Sequence, residues 1–529
     1  MVTYAGTRHP GKRRHWIVLL AILVLAAFLR LYRLEDESLW YDEVVSVQVI
    51  DAPSFAEFLD EERLLDPAIV PLYFFLEYHW WHRVWASEYG LRILSVLMGL
   101  ATVAAVWWLG RNVYSSGAGA AAAFCTAMAI SQIYYAQEIR MYALMIPLAA
   151  ASVLTLERAV AGTSRYWWLA NWIANGLLVW THILGTSVLF LQGLTLLWIF
   201  RRQFRVVLLW TAFQALYLIP LAWWIFGVPD EGVEEHLAWI DQPAGWMILD
   251  TFWTVLTGTE FDATHGFLPR NAKSLWSHLL GGLIWCCVAW RVWRSYRDQK
   301  GRSGSNGDAL HQAAGTLLLV LWCLVPVLLL VMLSAIVRPC YVERYVIHCG
   351  LPIFVLAGGG VDAISSQRMR WALVVLLCAG FFLVSAPFPR PMRPDLKSAH
   401  EIIQQRSRGN EFVYLEDRFE SGLAFAYYAE LDSSKIVMGE DSVQQAIARV
   451  KAGKPAWLLL VGSGRIARQF EEAHSEADLR IARYRLRGRR PIHLLHAYYA
   501  ADLPSRSEQA RRVLPEHVRL HESGEPPLQ

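Results

Sequence analysis

The chain has 529 residues, of which 55% are apolar and only 18% charged. An ordinary soluble protein carries nearer a quarter of its residues as charge and divides, at this length, into domains joined by polar linkers, so that architecture is excluded. Lys and Arg (49) nearly balance Asp and Glu (46), and the net charge of +3 gives no sign of a nucleic-acid partner.

Apolar stretches near the spanning length of about 20 residues recur from Trp16 to Phe388. Lys12, Arg13 and Arg14 precede the first, which resembles a signal peptide but is long and lacks a small-x-small cleavage site. It reads as an uncleaved first span. The predicted spans are 16–32, 91–110, 117–134, 140–157, 166–181, 183–200, 206–226, 275–292, 313–336, 345–361 and 371–388, about eleven in all. The pair at 166–200 is the tightest, because two short spans share one stretch. With the N-terminus cytoplasmic, the inside connections hold Arg111, then Arg158 and Arg165, then Arg201, Arg202 and Arg205, then Arg291 to Arg302, then Arg368 and Arg370. Every one is basic, as the positive-inside rule requires. The 25 tryptophans gather near stretch ends, where an aromatic belt belongs.

The first outer loop, 33–90, is acidic, and Ser54 with Glu57 forms a capping box that starts a surface helix. Pro71 to Trp85 is apolar and aromatic but interrupted by Glu77, His79, His82 and Arg83, and reads as a second interfacial helix. Were it a span, the parity of everything after it would invert. The outer loop 227–274 is acidic as well. Of the seven cysteines, most sit inside apolar stretches as packing residues. Cys340 and Cys349 form a candidate pair, with packing as the alternative.

Four prolines between Pro387 and Pro394 make a stiff linker, and beyond it the pattern changes. Helical pieces at 396–406, 421–428 and 442–451 alternate with strands at 411–415, 435–438 and 457–461, which predicts a small α/β domain with a mostly parallel sheet over 389–504. Odd span parity places it outside. Residues 505–529 read as a polar tail. The fold expected is therefore mainly α: a polytopic helix bundle over 1–388 with an extracytoplasmic α/β domain, in the inner membrane.

Four polar clusters fall on the same outer side: Ser38 to Glu43, Tyr134 to Tyr142, Thr181-His182 and Arg338 to Tyr345. An ionisable group at membrane level costs at least about 2.5 kcal/mol unless it pairs or lines a wet cavity, so the clustering points to one shared cavity. Plainer readings stand beside this one. Asp42 and Glu43 also fit as ordinary members of an acidic loop. Arg140 and Arg344 also fit as partners of loop carboxylates or lipid headgroups, and His182 as a packing residue. In the tail, Gly462-Ser-Gly464 fits a turn as well as a phosphate loop. The run Arg483, Arg485, Arg487, Arg489, Arg490 reads as a solvated face.

The segments SLWYDE (38–43), PLYFFL (71–76), LRILSVLMG (91–99), YYAQEIRMYAL (134–144) and ERYVI (343–347) occur in an order that resembles one superfamily. They are similar to bacterial relatives of the dolichyl-phosphate-mannose protein mannosyltransferases, glycosyltransferase family 39, to which the lipid A aminoarabinose transferases are related through the GT-C membrane fold. The resemblance covers about residues 16–388. The chain departs from it before PLYFFL: many members have His-Pro-Pro there, and this chain has Ala68, Ile69 and Val70 before Pro71.

The resemblance implies transfer of a sugar from a polyprenyl-phosphate carrier to an acceptor hydroxyl on a glycan, lipid or protein, by an inverting single displacement. Asp42 is then the base. Glu43, about 100° away on a helix, orients the acceptor or binds a cation. Arg140 and Arg344 meet the phosphate, Tyr345 or His182 adds a hydrogen bond, and Glu138 and Tyr142 complete the substrate site. No ligand-spaced His/Cys set exists, while the acidic loop offers oxygens to a divalent cation. The competing classes are a secondary transporter, which tends to show inverted repeats absent here; a polysaccharide ligase or polymerase, which expects arginine-rich outer loops; and an inactive scaffold. The C-terminal domain is expected to recognise the acceptor or a partner.

Overall fold

The computed structural model describes residues 12–59, 70–226, 240, 242–243, 245–257, 272–300, 307–385, 393–407, 411–416, 422–429, 435–439, 441–452, 454–461, 479–486, 492–499 and 519–522. The chain forms two compact units. One comprises residues 1–32 and 49–388; the other joins residues 33–48 to residues 389–529.

In the first unit every predicted span is helical over most of its length. Among the described residues, seven helices are long and apolar enough to cross a membrane, including Glu88–Val113, Tyr142–Val160, His311–Ile336 and Glu343–Asp362. The predicted span 117–134 is different. Ser115 caps a helix from Ser116 to Met128, its hydroxyl accepting from Ala118 N at 3.1 Å. That helix stops at Ala129, whose backbone is extended (φ −64°, ψ 123°), and a second short helix runs Ile130–Tyr135. Thirteen residues rise only about 20 Å, short of the roughly 30 Å hydrocarbon core.

A buried arginine closes this break. Arg30 is fully buried, and its guanidinium donates to Ala127 O and Thr126 O, each at 3.2 Å. Those carbonyls end the short helix, where unsatisfied acceptors and the negative end of the dipole favour a cation. Gln137 Nε2 donates to Arg30 O at 2.8 Å, which ties down the turn that follows. Elsewhere the backbones approach closely at small residues: Gly110 faces Gly119, Gly358 faces Ala118, and Gly360 faces Cys287. Small residues at helix contacts suit a medium where packing, not hydrophobicity, drives association.

The tight pair at 166–200 resolves into helices Tyr166–Thr181 and Thr186–Ile199 joined by a 3-10 turn, Ile183–Gly185. Buried amides tie them to their neighbours. Asn171 Nδ2 donates to Gln192 Oε1 at 3.1 Å and to Ser152 O at 2.9 Å. Asn175 Nδ2 reaches Gln192 Oε1 at 3.2 Å and Gln214 Oε1 at 3.3 Å. In the first loop, Ser54 caps residues 55–59 through Glu57 N at 3.3 Å. Phe55 of that turn packs on Tyr78 and His79 of helix Leu72–Arg83. A further amphipathic helix, Gly245–Thr257, lies in the second acidic loop, where none was predicted. Cys340 and Cys349 are both free thiols.

The second unit is an α/β domain with helices Leu396–Arg406, Leu423–Tyr428 and Ser442–Lys451. Its strands are β1 (Phe412–Leu415), β2 (Ile436–Met438), β3 (Ala456–Val461), β4 (Leu479–Leu486), β5 (Ile492–Tyr499) and β6 (Arg519–Glu522), in the order β2-β1-β3-β5-β4-β6. Only β2-β1-β3 is parallel. The expectation of a mostly parallel sheet is corrected: β5, β4 and β6 add an antiparallel half. Arg483 and Arg485 of the basic run lie on β4, while Arg487, Arg489, Arg490 and Gly462 to Gly464 lie outside the described residues. Residues 519–522, read as tail, form the edge strand β6.

The face of Tyr414, Leu458, Leu460, Leu495 and Ala497 packs under helix Ser442–Lys451 through Ala446 and Val450. On the opposite face Trp457 stacks on its cross-strand partner His496, ring centroids 3.9 Å apart and 3° from parallel. Glu411 accepts from Trp457 Nε1 at 2.5 Å, and His496 Nε2 lies 3.0 Å from the same carboxylate.

Candidate active site

In the first unit the predicted residues Tyr142, His182, Arg344 and Tyr345 come together around one ring cluster. Tyr142 begins helix Tyr142–Val160. Its ring centroid lies 5.8 Å from His182 and 6.3 Å from Tyr345, while His182 and Tyr345 are 5.5 Å apart. Arg344 sets its guanidinium 5.9 Å from the Tyr345 ring centroid. Arg344 and Tyr345 occupy a 3-10 stretch, Glu343–Cys349, with a kink at Val346 (φ −114°, ψ 16°), not the regular start of a span.

Glu138 and Arg140, both buried, lie in the turn between helices Ile130–Tyr135 and Tyr142–Val160. Ser95 Oγ donates to Glu138 O at 2.7 Å and holds that turn. Arg140 lies in electrostatic reach of His182, as does Arg344.

His182 sits at the turn between its two helices, with Nδ1 accepting from Leu184 N at 3.2 Å. Burial, then the nearby His348, Arg140 and Arg344, lowers its pKa to about 3, so it is a neutral hydrogen-bonding group at physiological pH.

Other residues join this cluster that sequence reading left out. The Tyr135 ring meets Tyr142 edge-on, with centroids 5.5 Å apart. Tyr73 and Glu77, both fully buried, come from helix Leu72–Arg83. Burial first, then the Glu77 charge, pushes the Tyr73 phenol well above its ordinary value and keeps it a neutral donor. His348 is fully buried, and its Nδ1 accepts from Trp322 Nε1 at 3.0 Å. That bond leaves the ring proton on Nε2. A histidine inside an apolar span is the sequence signal that would have found it. Two guanidiniums ringed by neutral phenols and imidazoles suit an oxyanion, which guanidinium meets in two-pronged fashion.

In the second unit, Asp42 and Glu43 open helix Tyr41–Ile50, where carboxylates favour the positive end of the dipole. They differ in surroundings. Asp42 is half-buried, and its carbonyl accepts from Ser46 Oγ at 2.9 Å. Glu43, expected to orient the acceptor or bind a cation, is fully buried and ion-paired with Arg393. Its carboxylate therefore faces Arg393 and not open solvent. Among the described residues, no group of three or more His, Cys, Asp or Glu is placed to hold a metal ion.

No protein-family profile matches the chain, and no curated protein is significantly similar to it in sequence. Solved structures do share its fold. ArnT from Cupriavidus metallidurans in the apo state is 13% identical, with a TM-score of 0.54 over 93% of this chain and 100% of that one. The same protein bound to undecaprenyl phosphate gives 12%, 0.51, 94% and 100%. The archaeal oligosaccharyltransferase AglB from Archaeoglobus fulgidus, in complex with an inhibitory peptide and a dolichol-phosphate, is 12% identical with a TM-score of 0.53, over 94% of this chain and 76% of that one. At these identities the likeness is one of architecture, and that architecture is the GT-C membrane fold: a helix bundle with a C-terminal domain.

Proposed function

We propose that the protein transfers a sugar from a polyprenyl-phosphate carrier to an acceptor hydroxyl at the outer face of the cytoplasmic membrane. The observation that carries this reading is the gathering of Arg344, Tyr345, Tyr142 and His182, with Arg140 in electrostatic reach. Solved proteins of this fold bind undecaprenyl phosphate and dolichol-phosphate, which supports a lipid phosphate as the anion. The basic inside connections, with helix Leu72–Arg83 not counted as a span, support the outer orientation.

Asp42 takes the proton from the acceptor hydroxyl as that oxygen attacks the anomeric carbon. The bond from that carbon to the phosphate oxygen breaks, and its electron pair leaves on the polyprenyl phosphate. Arg140 and Arg344 hold the departing charge, and neutral His182 and Tyr345 add hydrogen bonds to it. One displacement inverts the anomeric centre. General base catalysis contributes roughly 10²–10⁴-fold, and preorganised cations facing a developing oxyanion contribute on a similar scale or more.

The test is sugar release from a panel of labelled polyprenyl-phosphate sugars by the purified protein in lipid. Turnover should fall at least about 100-fold in Asp42→Asn. A mutant as active as wild type would remove Asp42 from the chemistry. No turnover of any donor by either protein would favour a transporter.

A further inference from the structure

We propose that Arg393 is a positioning residue for Asp42, and that the C-terminal domain holds the Asp42-bearing helix in its working orientation instead of serving only to recognise an acceptor. The inference rests on the reading of Asp42 as the base.

Residues 33–48 fold with residues 389–529, and the contacts are dense and consecutive. Glu37 Oε2 accepts from Arg393 N at 3.1 Å. Ser38 Oγ accepts from Lys397 N at 3.1 Å. Leu39 N donates to Tyr428 Oη at 2.7 Å. The Trp40 ring lies 5.8 Å from the Arg393 guanidinium, which also pairs with Glu43. Residues 37, 38, 39, 40 and 43 are thus all held by the domain, and the half-buried Asp42 stands among them.

Two of these contacts answer needs that neither side meets alone. Asp395 caps helix Leu396–Arg406 by accepting from Ser398 N at 3.1 Å, but a helix start leaves several N–H groups open. Ser38 takes the one on Lys397, so a loop residue completes the cap of a domain helix. Glu43 and Arg393 are both buried. A buried charge needs its partner, so the pair fixes the rotation of the helix and presents the next residue round, Asp42, in another direction.

The test uses the full-length protein in lipid with a labelled undecaprenyl-phosphate sugar. Arg393→Met should lower kcat by roughly 10–100-fold, the scale of a small misplacement of a reacting group, with the donor KM within about twofold of wild type because, in the proposed reading, Arg140 and Arg344 and not Arg393 hold the donor phosphate. Arg393→Lys should recover most of the loss. In the Asp42→Asn background, Arg393→Met should cost nothing further, because both act through one carboxylate. Unchanged kcat, losses that multiply, or a raised KM alone would each overturn the inference. If Arg393→Met does not fold, the charge swap Glu43→Arg with Arg393→Glu decides. Activity above either single variant supports the clasp, and activity no better than either refutes it. If Asp42→Asn matches wild type, the base assignment fails and takes this inference with it. If Asp42→Asn is inactive and Arg393→Met is fully active, this inference alone fails.

Discussion

Gly360→Ala probes the tightest of the glycine contacts between helices among the described residues. Gly360 lies in helix Gly350–Asp362, against helix Ala272–Lys300. A methyl there would overlap the carbonyl oxygen of Cys287 and sit 2.8 Å from its carbonyl carbon and 3.1 Å from its Cα, where ordinary contact begins at 3.4 Å. All three atoms are backbone, so no side chain can swing away and the helices themselves must part. Overpacking of this kind costs about 1–3 kcal/mol, occasionally more. Removing a glycine from a helix interior returns up to about 1 kcal/mol, so a net loss of roughly 1–2 kcal/mol is expected. Gly282, in the partner helix, supplies the control: a methyl there meets nothing within 4 Å. Gly282→Ala should be neutral or stabilising by up to about 1 kcal/mol. Equilibrium unfolding of both variants in bicelles gives the comparison. Equal stability for the two would refute the argument that backbone contact at Gly360 holds these helices together.

Two further perturbations address the anion site and the C-terminal domain. Arg140→Met and Arg344→Met should each lower kcat/KM for a polyprenyl-phosphate sugar by roughly 10–100-fold, the worth of a charged hydrogen bond of about 1.5–3 kcal/mol; lysine at either position should recover part of it, and wild-type kinetics would remove that arginine from the site. Glu411→Ala strips the shared acceptor from Trp457 and His496 and should cost about 1–3 kcal/mol for the buried donor left behind. Amide hydrogen exchange should speed up along β3 and β5 in that variant, and unchanged protection there would mean the stacked pair needs no acceptor.

What was legible in the sequence follows from how local each signal is. The spans declare themselves because a helix in lipid satisfies its own backbone and needs only an apolar run. The break at Ala129 is silent, since an alanine-rich run continues through it and the cap comes from Arg30, some hundred residues earlier. Tyr142, His182, Arg344 and Tyr345 stood out as polar groups at apolar stretch ends. Tyr73 and Glu77 did not, because helix Leu72–Arg83 read as a surface element with its charges in water. The antiparallel half of the sheet was missed because the arginines of β4 mark its alternation as a basic run. The role of Glu43 was invisible because its partner lies 350 residues away.

That separation has a consequence for how the protein is made. Residues 33–48 leave the ribosome long before the segment that receives them, and at about 5–20 residues per second the delay is roughly 20–70 s. Through that time the loop carrying Asp42 lacks Arg393, Lys397 and Tyr428. A nascent or prematurely terminated chain can therefore insert its helices while the Asp42 segment still lacks the contacts that order it.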